Sequence, residues 1–406
     1  MSEPLLVQLV RTLARPIGES DRARARLHLL DWLACVAGAR GSEVAARCDH
    51  MNPRAAGLAA WLGNVLEMDD VHRTALLHPG PVIWATAFGY PHSMQETLDA
   101  AVLGYEAMIA IGATLDAHHY AHYHPTATAG IFGAAVAAAA LLECSPTETV
   151  YALALAGSVT GGLWQLRHEP VMAKQWHVAH SMQSGGNAAY YARHGVTGPL
   201  SILEGPQGLY AATCRQPKPM TFPEQWRIHE VSFKPWAACR HAHPAIDCAL
   251  ELRAAGKLEA PFHVETYADA IAFCDRPDPQ TETEAKFSLQ HAVAVIADGR
   301  RAEPADFTLK AIAALASLRA LVTVAEAPEI TARYPAHFGA RVNGLELVDT
   351  RGDPERPVTA EDIVAKMHML AACGGLASAE ADRAAELALH GDDAEAITAM
   401  LDDWLT

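Results

Sequence analysis

Ile131-Phe-Gly-Ala-Ala-Val-Ala-Ala-Ala-Ala-Leu-Leu142 is the most apolar run of the chain, and its reading decides the fold class. The run is too short for the roughly 20 residues that a bilayer-spanning helix needs. Its alanines and glycine instead suit a buried helix that lets its neighbours approach closely. Just beyond it, Ser145-Pro146-Thr147-Glu148 is a capping box with proline at the first helical position, and predicts a second helix through about Gly157. Upstream, Ser20 is expected to cap a helix through Arg26-Leu-His-Leu-Leu-Asp-Trp-Leu-Ala-Cys, with Leu27, Leu30, Ala34 and Val36 on one side. Residues 1–225 therefore read as predominantly helical. Gly195, Gly198, Gly205 and Gly208 mark a loop-rich corner near their end.

From about residue 229 the texture changes. Phe262–Cys274, rich in β-branched and aromatic residues, reads as a strand, and Leu318–Glu326 as another. Asn343-Gly344 between Ala-Arg-Val and Leu-Glu-Leu signals a tight hairpin. A smaller α+β domain is expected over 229–355, and Thr359-Ala-Glu-Asp362 opens a closing helical segment.

The 406 residues, half of them hydrophobic and 19% charged, can bury a large core, expected as two domains. A formal net charge of −16 argues against nucleic-acid binding, while leaving room for a local cationic pocket. The eight cysteines form no C-x-x-C pair and fit reduced thiols in a cytoplasmic protein. Met1 to Arg15 lacks a continuous apolar block, so neither a signal peptide nor a membrane partner is expected.

Five patches could carry chemistry. Glu67-Met-Asp-Asp70-Val-His72, followed by His78-Pro-Gly, offers acid/base groups or metal ligands, or else a solvated helix end. His118, His119, His122 and His124 come next. His118 and His122 share a face if helical, as a metal pair would, but Pro125 biases His124 out of a helix and no third ligand stands at fixed spacing. Arg167, Lys174, His177 and His180 are an anion-binding candidate, or a basic helix face with Trp164 and Trp176 packed beneath. Lys234-Pro-Trp-Ala-Ala-Cys239 holds a cysteine that is nucleophilic near cations or simply buried. Lys286-Phe-Ser-Leu-Gln-His291 reads on its own as core or surface. No nucleotide-binding glycine motif and no Gly-x-Ser-x-Gly elbow is present.

In order and spacing, these patches resemble the MmgE/PrpD family, which includes 2-methylcitrate dehydratase, cis-aconitate decarboxylase and iminodisuccinate epimerase. The matching pieces are Leu29-Leu-Asp-Trp-Leu-Ala-Cys-Val-Ala-Gly38, Glu67-Met-Asp-Asp70 with His78-Pro79, Gly104-Tyr-Glu106, His124-Pro-Thr-Ala-Thr-Ala-Gly130 with Phe132-Gly133, Lys174, Gly195-Val-Thr-Gly-Pro199 with Glu204-Gly205, Lys234-Pro235, and Lys286-Phe-Ser288. The resemblance implies a mostly α fold with a smaller α+β lid: a large all-helical domain, 1–228 completed by 356–406, and a mixed domain, 229–355. It also implies a homodimer, no cofactor, and a site in the cleft between domains. His124, Lys174 and Lys234 match the family's site histidine and two site lysines, and His78 matches the histidine of a His-Pro-Ser stretch. Gly80 replaces that serine, Glu67 stands where aspartate is usual, and Val71 replaces a threonine. Cys239 and His291 stand where the decarboxylase branch has histidine and tyrosine.

The expectation is a cofactor-independent lyase, with no metal, that removes a proton beside a carboxylate of a small di- or tricarboxylate and then eliminates water. Its proposed catalytic groups are His124, His78, Lys174 and Glu67. Lys234, Cys239, His291, Asp70, Arg167 and His177 are its proposed substrate-binding groups. An epimerase shares the first step and differs in where the proton returns. A metal-dependent hydrolase on His118, His122 and Asp69 or Asp70, and a non-catalytic carboxylate-binding relative, are the readings from other classes.

Overall fold

The alanine run forms the middle of the Pro125–Leu141 helix, in which every residue from Pro125 to Ala139 is buried. The computed structural model describes residues 3–49, 55–169 and 171–405. Small residues let the neighbours close on this helix from two sides. A Cβ on Gly133 would stand 2.7 Å from Met108 Cβ, in the Met94–Gly112 helix. One on Gly185, in the Ala173–Arg193 helix, would stand 2.5 Å from Ile131 O. Packing this tight resists even one added methyl, because interiors are filled to near-crystalline density. The capping box holds as read. Ser145 accepts from the Glu148 amide, and the helix it starts is Pro146–Ser158.

The chain divides into two compact units. The first comprises Met1–Val65, Asp69–Val231 and Ala360–Thr406, and its described secondary structure is helical. In it, Lys366 of the Ala360–Cys373 helix donates to Asp31 of the Glu19–Gly38 helix at 2.6 Å, tying the two ends of the sequence together. The Glu19–Gly38 helix begins one residue before Ser20, with Gly18 as its cap. The Asp21 carboxylate, at the third helical position, accepts the Gly18 amide at 2.8 Å, so the helix starts from Gly18 rather than from the expected Ser20 cap. Its second half is buried on all sides from His28 to Ala37, so the expected one-sided stripe is absent there.

The second unit comprises Leu66–Met68 and Ser232–Thr359. Its strands are β1 (Phe262–Thr266), β2 (Val322–Glu326), β3 (Ala340–Val342) and β4 (Leu345–Leu347), in the order β2-β1-β3-β4. β1 runs parallel to β2 and antiparallel to β3. Asn343 and Gly344, at φ +44° and +86°, form the hairpin turn between β3 and β4, as their sequence predicts. The strand expected over Phe262–Cys274 ends at Thr266, and Ala268–Cys274 is a helix. Its alternating burial gives way to Ala270 and Cys274, four apart and both buried, on an alanine-rich stretch that favours the helix. Among the described residues no helix is long and apolar enough to cross a membrane.

Candidate active site

Asp69 and Asp70 are adjacent in sequence, but their side chains serve different tasks. The Asp69 carboxylate lies 2.9 Å from His78 Nδ1, which is also 3.1 Å from the Asp70 carbonyl. Both neighbours are acceptors, so Nδ1 carries a hydrogen and, in the neutral ring, Nε2 holds the lone pair. A carboxylate behind an imidazole fixes its tautomer and its orientation. The His78 main-chain amide donates to Thr126 Oγ1 at 3.0 Å, which ties this histidine to the first turn of the Pro125–Leu141 helix.

Asp70 is engaged by the scaffold. One oxygen accepts the Gly80 amide at 2.8 Å, and the other accepts the Tyr105 hydroxyl at 2.6 Å and lies 2.9 Å from His28 Nδ1. Burial pushes its pKa up to about 6, with Tyr105 and Gly80 opposing. Expected to touch substrate, it instead anchors the start of the Gly80–Ala87 helix. The close approach also accounts for Gly80, since a Cβ there would stand 2.7 Å from Asp70 Oδ1.

His124 caps the Pro125–Leu141 helix, with Pro125 locked at its first position and the His124 amide donating to Gly162 O at 2.8 Å. The ring is buried, stacks on Trp164 with centroids 4.4 Å apart, and places Nδ1 3.1 Å from His177 Nδ1. Burial holds the imidazole well below its ordinary pKa. Positive charge on His177, Lys174 and His78 acts the same way, and Asp69 opposes. The helix N-terminus adds a further partial positive charge, so His124 is neutral near pH 7. Its Nε2 has no protein partner among the described residues.

Lys174 and His177 stand three apart in the Ala173–Arg193 helix and so share a face. His177 and His180, with Gly161, Gly162, Trp176 and Ser181, line a cavity of about 220 Å³. Trp176 is 46% exposed, so it is not packed beneath a basic face. The Arg167 guanidinium lies 5.3 Å from the Trp164 ring and 5.8 Å from that of Tyr120. Trp164, read from sequence as a packing residue, is thus a wall of the His124 site. No local pattern announces it, because the stack joins residues forty apart.

The second unit gathers its own group. Lys234 is fully buried, with Nζ 4.0 Å from Glu67 Oε2. Glu67 has φ +58°, a left-handed conformation that costs a non-glycine residue about 1–2 kcal/mol and persists only where the surroundings enforce it. Cys239 is buried, its amide donating to Lys286 O at 2.8 Å. His291, expected to bind substrate, is fully buried, with Nε2 2.8 Å from Asp306 O and Nδ1 facing Arg319. Both ring nitrogens therefore serve the core.

His118 and His122 meet edge to face in the Ala117–His122 helix, with centroids 4.8 Å apart. They join no group of three potential ligands. Among the described residues the one such group is His337, Asp349 and Glu355, which removes the geometric basis for a hydrolase metal on His118, His122 and Asp69 or Asp70.

Two family models match the chain: the MmgE/PrpD N-terminal domain over residues 41–221 and the MmgE/PrpD C-terminal domain over 236–391. The chain belongs to the MmgE/PrpD family. It is similar to the cis-aconitate decarboxylase of Homo sapiens, 27% identical over 259 residues, 58% of this chain and 53% of that protein. It is also similar to the cis-aconitate decarboxylase of Mus musculus, 28% identical over 193 residues, 44% of this chain and 39% of that protein. The chain thus spans about half the length, or less, of the curated relatives it matches.

Proposed function

We propose that this MmgE/PrpD protein is a cofactor-independent lyase that removes a proton beside a carboxylate of a small di- or tricarboxylate and expels water. The carrying observation is the Asp69–His78 pair, 2.9 Å apart, with Nε2 of His78 left as a base. In this reading His78 takes the proton. Lys174, whose charge is felt at His124, stabilises the enediolate that forms on the carboxylate. His124, neutral and with Nε2 unoccupied, gives a proton to the departing hydroxyl. Lys234 and Glu67 are proposed as a second carboxylate-binding and orienting pair. The kinship with decarboxylases supports a carboxylate substrate and leaves its identity to experiment.

An epimerase is the second reading. Two imidazoles anchored by independent partners, His78 by Asp69 and His124 by His177, suit proton removal and return at separate points. A panel of small di- and tricarboxylates in deuterated water decides between the two. Alkene absorbance with loss of water supports the lyase, and deuterium incorporation with inversion and no alkene supports the epimerase. If no member of the panel exchanges a proton or eliminates, both readings fall.

A further inference from the structure

A neutral imidazole cannot surrender its Nε2 proton alone, because the imidazolate left behind is far too basic. It can do so if Nδ1 receives a proton in the same event. His124 is placed for that exchange. It is buried at a helix N-terminus beside Lys174, which keeps it neutral, and its Nδ1 lies 3.1 Å from Nδ1 of His177. Two facing ring nitrogens at this distance share one hydrogen, so one ring is the Nδ1–H tautomer and the other the Nε2–H tautomer. His177 lines the cavity of about 220 Å³, and its Nε2 has no protein partner among the described residues. Ser181, one turn on, accepts nothing from this ring and donates to the His177 carbonyl, which leaves the imidazole to His124 and the cavity.

We propose that His177 is a proton-relay residue that passes a proton to His124 Nδ1, and takes one from water in this cavity, as His124 gives up its own. The inference rests on the reading of His124 as the acid of the elimination. Before the step, His124 carries hydrogen on Nε2 and His177 on Nδ1. The C–O bond of the substrate breaks with its electron pair on oxygen, and the enediolate pair becomes the new C=C bond. The His124 Nε2–H bond breaks as the proton joins the leaving oxygen, giving water. The His177 Nδ1–H bond breaks as that proton moves to His124 Nδ1, and an O–H bond of a cavity water breaks as its proton binds His177 Nε2, leaving hydroxide in the cavity. Each ring ends neutral in the opposite tautomer. After product release, water gives a proton to His124 Nε2, the His124 Nδ1 proton returns to His177 Nδ1, and the His177 Nε2 proton neutralises the hydroxide left in the cavity. The hydroxide formed at His124 takes the proton that His78 removed from the substrate, and every group is back at its start. His78 and Asp69 face the pair electrostatically from a neighbouring segment, and Lys174 and His180 face it from the helix that carries His177.

The test uses His177→Gln and His177→Ala in the full chain. Proton removal by His78 continues in both, whereas acid transfer stalls. Elimination therefore falls at least ~10-fold, KM stays within about 2-fold, and the ratio of deuterium exchange to elimination rises. Added imidazole restores elimination to His177→Ala through the enlarged cavity. Exchange and elimination falling together, or KM rising at unchanged kcat, would overturn the relay. A second arm needs no turnover, so it decides the relay even if every carboxylate fails and the functional reading with it. Nitrogen-15 spectra of the histidine-labelled protein, assigned with His124→Gln and His177→Gln, are expected to show two neutral rings of complementary tautomer near neutral pH. The same tautomer in both rings, or a charged ring, sinks the proposal.

Discussion

Replacing Gly80 by alanine tests whether space around Asp70, rather than backbone conformation, dictates glycine here. The added Cβ would lie 2.7 Å from Oδ1, 3.0 Å from Cγ and 3.1 Å from Oδ2 of Asp70, where ordinary contact begins near 3.4 Å. The carboxylate cannot swing aside freely, being held by the Gly80 amide and the Tyr105 hydroxyl at 2.8 and 2.6 Å, with His28 2.9 Å away. Forcing it back weakens a charge-assisted hydrogen bond worth about 1.5–3 kcal/mol and adds overpacking of about 1–3 kcal/mol. Alanine recovers up to about 1 kcal/mol of helix propensity at the start of Gly80–Ala87. The net cost is about 3 kcal/mol. In an Asp70→Ala background the obstruction is gone, and the same substitution is expected to be neutral or mildly stabilising. In Asp70→Asn, which keeps the bulk, the cost returns. Urea denaturation followed by circular dichroism near neutral pH measures the cycle. An equal cost of Gly80→Ala with Asp70 intact and in the Asp70→Ala background would refute the reasoning.

Three further outcomes follow from the same geometry. In stopped assays on an accepted carboxylate, His124→Gln is expected to lower elimination at least ~10²-fold while proton exchange survives, whereas His78→Gln and Lys174→Ala lower both by a similar factor. Buried His119 has its pKa lowered from 6.5 to about 4 by burial, with Asp116 opposing, so its stabilising contribution is present above 6.5 and lost as pH falls toward 4. Linkage puts that loss at ~2 kcal/mol between about pH 7 and pH 5, and the urea midpoint of His119→Asn should therefore fall less on acidification than that of the parent. Lys366→Met strands the buried Asp31 carboxylate, which burial already pushes up to about 6. It is expected to cost about 3–5 kcal/mol, most of it recovered in the Asp31→Leu/Lys366→Met double variant, as a thermal melt of the pair would show.

The parts of the fold that could be read from sequence are those fixed by neighbours in the chain. The Ser145 cap is satisfied within three residues, and the Asn343-Gly344 turn by its own two dihedral angles. Ile131–Leu142 is legible because a dozen apolar, mostly small residues have one soluble solution, a helix buried on every side. Misreadings arose where two local rules competed. The helix start moved from the expected Ser20 cap to Gly18, where the Asp21 carboxylate accepts the Gly18 amide and favours the helix N-terminus. After Thr266 the aromatic and β-branched residues Tyr267, Ile271 and Phe273 prolonged the strand signal, while alanine and tertiary burial had already switched the period.

The candidate site was legible as a set of residue types and opaque as a set of pairs. Sequence offers Asp69 and Asp70 as equals. Only the fold gives one to the His78 imidazole and the other to a buried net of Tyr105, His28 and Gly80. It likewise offers four histidines between His118 and His124 and cannot say that His124 looks across 53 residues to His177. That pairing changes the chemistry assigned to the residue. A histidine capping a helix beside a lysine is poorly suited to hold a charge, so as a lone group it would be a weak acid and a weak base at once. With a second imidazole on its Nδ1, it can pass a proton without ever becoming charged. The electrostatics that would disable a single histidine are thus the condition under which a pair works, and the site is better described by its hydrogen-bonded couples than by its residues one at a time.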